Sequence, residues 1–204
     1  MILSLRNRLK VLIYTGALVV FIMSLLDRGP KLGLTRQRLA VLEMILFGLL
    51  TTFDRYAWRL GPIPQLLKTG PVLRGTWKGE VRPTSAASHP LPAYLSVRQT
   101  YSSVAFRLLT DEATSESTTA RLVREEESRH QGEYSYESIP RDSVRDRSPI
   151  HFGSVRFQCV GERPTRLQGE YFTSRRTTGE LSFGERRDAV VHSFSDARTL
   201  FGDS

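Results

Sequence analysis

Tyr171, Thr173, Arg175 and Thr177 alternate through residues 171–179 (YFTSRRTTG), gathering a flat ring, two hydroxyls and a guanidinium into one short stretch. Alternate residues of a strand share a face, so Gly169, Tyr171, Thr173 and Arg175 are expected to point the same way. A ring of this kind stacks on a base, and a planar guanidinium fork meets phosphate or carboxylate bidentately. Residues 134–147 (YSYESIPRDSVRDR) offer a similar mixture, with Tyr134 and Tyr136 followed by arginines at a possible rim. Such chemistry is recognition rather than turnover. No Gly-rich phosphate loop, Gly-x-Ser-x-Gly, His-Glu-x-x-His or cysteine pair occurs. His89, His130, His151 and His192 are not spaced as metal ligands on one element. The sequence nominates no catalytic residue, no metal and no cofactor.

Charge narrows the partners further. The chain carries 29 Lys+Arg against 21 Asp+Glu, a formal net charge of +8. Most of that excess lies before residue 69, in Arg6, Arg8, Lys10, Arg28, Lys31, Arg36, Arg38, Arg55, Arg59 and Lys68. The remainder is almost neutral, which argues against binding a DNA or RNA duplex, since that needs a basic surface on the folded domain. Cations flanking an apolar segment attract anionic lipid headgroups instead. Beyond residue 68 Lys78 is the single lysine among many arginines; GC-rich codon usage produces the same bias. Cys159 is the one cysteine and lies in an alternating pattern, so no internal disulfide forms and a buried, inert thiol is expected.

The elements that would hold these residues fall into two kinds. Residues 11–26 (VLIYTGALVVFIMSLL) are uncharged and follow Arg6, Arg8 and Lys10. A helix over about 9–26 approaches the length needed to cross a ~30 Å hydrocarbon core. No small-x-small cleavage pattern follows Leu26, which favours an uncleaved anchor over a signal peptide. A second helix is expected over about 39–57, with Tyr56 and Trp58 among flanking charges in an interfacial belt. It either spans the bilayer or lies along it. Glu43 is placed near enough to its start to reach the interface. Residues 1–60 therefore read as a two-helix membrane anchor, and 61–71, rich in Pro and Gly, as a linker.

From there the periodicity changes from helical runs to alternation. Eight strands are expected, over 73–81, 94–100, 102–110, 116–125, 131–139, 149–160, 166–174 and 178–185, with polar turns at 111–117 and 141–148. Eight antiparallel strands suit a small closed barrel or a sandwich, and closure removes aggregation-prone edges. Leu73-x-Gly75-x-Trp77 and Leu167-x-Gly169-x-Tyr171 echo one another, and glycine in a strand marks a bend or a close approach. The fold class is mainly β: a two-helix transmembrane hairpin, then an eight-stranded antiparallel barrel over 72–190 and a tail over 191–204.

Gly75-x-Trp77-x-Gly79 on the first strand, His151-x-Gly153 and the 171–179 segment, behind an apolar hairpin, together resemble a group of bacterial defence effectors. These are the SMODS-associated two-transmembrane, β-strand-rich effectors of CBASS antiphage systems. The resemblance covers essentially the whole chain and is carried more by architecture than by any short motif. It implies a β-barrel receptor for a cyclic dinucleotide messenger, oligomerisation on binding, and disruption of the inner membrane that kills the infected cell. It also implies a multi-pass protein of the bacterial inner membrane with its barrel in the cytoplasm, acting as a homo-oligomer without enzymatic turnover. Arg175, Thr177 and Gly179 match an Arg-x-Thr-x-Gly pattern of that family. The candidate ligand-binding set is Trp77, Tyr134, Tyr136, Tyr171, Thr173, Arg175 and Thr177. Two rival readings are a membrane-tethered lipid- or fatty-acid-binding barrel and an envelope scaffold that binds another protein. The polar residues among the inward candidates favour a polar ligand over a fatty acid.

Overall fold

A computed structural model describes residues 36–61, 63–64, 70–84, 89–126 and 128–203, with Gly16 and Ile22. Its strands are β1 (Gly75–Pro83), β2 (Leu91–Gln99), β3 (Val104–Leu109), β4 (Ala113–Arg124), β5 (Arg129–Pro140), β6 (His151–Val160), β7 (Leu167–Thr173) and β8 (Thr178–Arg187). Each pairs antiparallel with the next, and β8 closes onto β1, giving an up-and-down barrel. Alternation supplies the inner face, where Trp77, Leu95, Val97, Phe106, Tyr134, Phe157, Leu181 and Phe183 are buried in one cluster. An eight-stranded barrel has an interior of about the size its own side chains fill. Each large apolar side chain removed from water there contributes about 1.5–3 kcal/mol. Cys159 belongs to the same core, and burial pushes its thiol up to about 12.

All eight strands lie within about three residues of where alternation predicts them; β2 and β4 each begin three residues early, at Leu91 and at Ala113, the latter inside the stretch 111–117 expected as a turn. The Ser/Thr-rich sequence of β4 suits an extended, half-exposed ribbon without showing an apolar alternation. A register shift between Ser117 and Thr119 also breaks its parity.

One end of the barrel is sealed. Residues 71–74 cross it, with Gln99 Oε1 accepting from the backbone N–H of Leu73 (2.7 Å) and Arg74 (3.2 Å) while Gln99 Nε2 donates to Pro71 O (2.9 Å). Val72 donates to Glu162 O (2.8 Å), and the indole of Trp77 donates to Leu73 O (2.8 Å). Outside the barrel, α2 (Phe194–Phe201) covers the outward face of β2. Tyr94 stacks on Phe201 and meets Phe194 edge-on, at 5.6 and 5.4 Å between centroids. The Asp203 carboxylate accepts from both Lys78 and the Tyr94 hydroxyl.

The described residues from 36 to 63 and the turn 100–102 belong to a second compact unit, distinct from the unit that holds the barrel. Its described helix is α1 (Arg36–Arg55), continued by a 3-10 turn at Ala57–Arg59. This differs from the expected spanning helix over 39–57: among the described residues no helix is long and apolar enough to cross a membrane. The reason is charge, because Arg36, Arg38, Glu43, Asp54 and Arg55 leave an uncharged run only from Met44 to Phe53. Ten residues of helix rise about 15 Å, half of a hydrocarbon core. Trp58, expected in an interfacial belt, is instead buried, with Tyr101 edge-on at 6.5 Å. The expected helix over 9–26 lies outside the described residues apart from Gly16 and Ile22, both helical.

Candidate ligand site at the barrel mouth

The end opposite the seal, the mouth of the barrel, carries the turns β3–β4, β5–β6 and β7–β8. Tyr136 on β5 faces Gly153 on β6, which faces Thr173 on β7. Tyr134 faces Val155, then Tyr171, then Gly179 on β8. The two glycines decide how the rings lie. A Cβ on Gly153 would collide with the Tyr136 ring, and one on Gly179 with the Tyr171 ring and the Arg82 carbonyl. Each phenol therefore lies across a strand that has been cleared of side chain.

The three tyrosines run from interior to opening. Tyr134 and Tyr136 are buried, and Tyr171 is partly exposed. Tyr134 stacks on Phe106 with centroids 4.7 Å apart and planes 17° from parallel, and Phe157 lies 6.5 Å away. Burial pushes the Tyr136 hydroxyl up to about 12 and raises those of Tyr134 and Tyr171. All three therefore stay protonated at neutral pH, each able to donate and accept. The Tyr134 hydroxyl is buried without a hydrogen-bond partner. Ser115 and Ser138, paired with one another, are also buried, on the same face as Leu108. Among the described residues the buried core holds no lysine, arginine, aspartate or glutamate.

The charges nearest these tyrosines lie at the rim. Strand β7 ends at Thr173, and the turn is built on its hydroxyl: Thr177 N–H donates to Thr173 Oγ1 (3.2 Å), and the two threonine hydroxyls are 2.6 Å apart. Arg176 sits at φ 60°, a left-handed conformation uncommon for a side-chain-bearing residue. The turn breaks the parity expected for Arg175. Its guanidinium leaves the face of Tyr171 and donates to Ser148 Oγ (2.9 Å) in the β5–β6 loop, joining two rim segments. Arg141, Arg145 and Arg147 of that loop are paired with Asp111, Asp142 and Glu112 at 3.4, 2.6 and 2.5 Å.

Of the sequence-predicted set, Tyr134, Tyr136, Tyr171 and Thr173 thus converge on the mouth, with Arg175 and Thr177 on its rim. Trp77 stands apart at the sealed end, its indole N–H already satisfied and the Arg186 guanidinium 5.5 Å over its ring. Gly153, Gly179, Ser115 and Ser138 were not singled out as site residues. Parity from Tyr136 places Ser138 inward, but the Ser/Thr-rich start of β4 conceals Ser115. A concavity of about 690 Å³ lies on the outer face of β6, β7, β8 and β1, lined by Arg82, Arg156, Gln168, Glu170 and Glu180. Its side chains are solvated and of both signs, without the neutral, buried character of the mouth.

A closed barrel with one end plugged, hydroxyls among its buried side chains and arginines at the opposite rim has the architecture of barrels that hold one small ligand. Comparison with known proteins is more specific. Residues 68–185 match the family described as "Cap15, cyclic dinucleotide receptor domain", and the chain belongs to that family. The match takes in the strands up to Glu185 near the end of β8, and excludes α1 and α2. Among curated proteins, the chain is similar to CD-NTase-associated protein 15 of Staphylococcus schleiferi, 28% identical over 129 residues, covering 63% of this chain and 68% of that protein.

Proposed function

We propose that this chain is a CBASS antiphage effector whose barrel binds a cyclic dinucleotide at its mouth, and that binding drives homo-oligomerisation and membrane disruption by the N-terminal segments. The observation that carries the reading is the match of the barrel to a family of cyclic dinucleotide receptor domains. The geometry supports it with a division of labour. Flat rings and neutral hydroxyls inside suit a base, while Arg175 and the Thr173 and Thr177 hydroxyls at the rim suit its phosphates. Arg175 is held in place only by a neutral serine, so a phosphate displaces a weak bond to gain a charge-assisted one. The fatty-acid carrier is less favoured, because the mouth presents phenol and threonine hydroxyls and a guanidinium rather than an aliphatic lining. In this reading the barrel is cytoplasmic, the chain acts as a receptor without turnover, and the bilayer is the bacterial inner membrane.

The test is reconstitution of the full chain in dye-loaded vesicles of bacterial phospholipid. One cyclic dinucleotide from a panel should release dye and shift the protein to a larger assembly, and Arg175→Ala should do neither at the same dose. Binding without dye release would leave a receptor and remove the membrane-disruption step.

A further inference from the structure

Among the polar atoms that the described residues bury without a hydrogen-bond partner, the hydroxyl of Tyr134 is the one that lies among the tyrosines of the mouth. It is buried and unpartnered, and a phenol in that position loses its bonds to water and gains none in return. The ring cannot relieve this by turning outward, because Phe106 lies flat against it at 4.7 Å and Phe157 stands 6.5 Å away. Its next neighbour toward the opening is Tyr136, at 6.1 Å between centroids, held over Gly153. Tyr171 follows over Gly179. The orphan hydroxyl is thus the innermost step of a phenol ladder that leads to the mouth.

We infer that the Tyr134 hydroxyl is the specificity-determining group of the site, hydrogen-bonding the edge of one base that enters past Tyr136 and Tyr171. The inference rests on the cyclic dinucleotide reading above. A base suits this position and a phosphate does not, because the buried core around Tyr134 offers an anion no cation. The edge of a base is also where its identity is written, whereas its faces only stack. A buried polar group rejects a ligand that leaves it unpaired far more strongly than an apolar pocket rejects one of the wrong size. The hydroxyl therefore destabilises the empty barrel and is satisfied only when a matching base arrives.

Tyr134→Phe removes the oxygen and keeps the ring, and the test compares it with the parent as the full chain in detergent. Each is titrated calorimetrically with cyclic di-AMP, cyclic di-GMP, cyclic di-UMP and cyclic GMP–AMP, and each is melted without ligand. The expected result is a higher melting temperature for ligand-free Tyr134→Phe. It should also bind the parent's preferred ligand about tenfold or more weakly, with the preference among the four reduced. Unchanged affinities and preferences in Tyr134→Phe, with the parent binding normally, would overturn the inference and leave the receptor reading intact. A lower melting temperature with unchanged binding would overturn it too, showing that the hydroxyl has a partner, such as a trapped water, in the empty protein. Failure of the parent to bind any of the four would remove the receptor reading and the inference with it.

Discussion

At the scale of single residues, the mouth is shaped as much by what is missing as by what is present. Gly153 and Gly179 make room for the Tyr136 and Tyr171 rings, and in each case a backbone carbonyl lies beside the position a Cβ would take. Carbonyls of a paired strand cannot swing away as a long side chain can. Gly153→Ala and Gly179→Ala should therefore each destabilise the barrel by about 1–3 kcal/mol, read as a lower urea midpoint with an unchanged slope. Arg175→Ala should behave oppositely, weakening cyclic dinucleotide binding by about 1.5–3 kcal/mol, the range for a hydrogen bond to a charged group. Its thermal midpoint should stay put, because an exposed guanidinium on a serine hydroxyl adds little to stability. His130 carries a pH dependence. It is buried near the sealed end, with Glu162 Oε1 3.7 Å from its Nε2 and Arg124 bound to the same carboxylate at 2.5 Å. Burial lowers its pKa, an effect that Glu162 opposes and Arg124 reinforces. Protonation is thus harder in the folded than in the unfolded chain, so this stability is fully present above the unfolded value near 6.5 and falls as pH drops below it. Unfolding measured at pH 7.5 and 5.5 should show that loss in the parent and a flatter profile in His130→Gln.

The elements differ in how plainly the sequence announces them. Strands β1, β5, β6 and β8 set apolar, aromatic or glycine residues against mostly polar ones at a period of two, with outward exceptions such as Phe152 and Val160, and so are readable without a structure. Strand β4 has hydroxyls on both faces of its first half and a register shift, so only Ala120 and Leu122 mark its core face. Parity carried Tyr171 and Thr173 to the correct face but failed at Arg175, where the strand had already become a turn. For Trp77 it gave the inward direction without saying which end of the barrel the ring would seal. Helix α2 does carry signals: Ser193 caps it by accepting from the Asp196 N–H, and Gly202 ends it at φ 71°. Eight residues are too few to stand alone in water, and only the Tyr94 surface makes them a helix. Accordingly, Phe201→Ala should cost about 1–3 kcal/mol in urea unfolding. Truncation before Ser193 should expose Tyr94 and lower the midpoint further.

For the molecule as a whole, the two units raise different questions. The barrel alone accounts for the family match, since residues 68–185 stop short of both α1 and α2. The N-terminal apolar segments are what the effector reading adds to the receptor. The uncharged stretch of α1 is about half of what a bilayer requires. If the membrane step operates as proposed, it needs the segment over 9–26 or an assembly of several chains to complete a crossing. Substituting Asp for Val19 and Val20 should therefore abolish dye release while leaving messenger affinity unchanged, as measured on the same protein in vesicles and in detergent.

The claim on which everything else depends is that the barrel holds a cyclic dinucleotide. It is tested most directly by calorimetric titration of the purified full chain with the four-member panel, with a long-chain fatty acid as the competing ligand. The account predicts saturable, one-per-barrel binding of at least one cyclic dinucleotide, weakened by Arg175→Ala, and no heat from the fatty acid. At a hundredfold excess over its Kd, such a ligand should stabilise the protein by about 2.7 kcal/mol. Saturable binding of the fatty acid alone, by a folded protein, would contradict it.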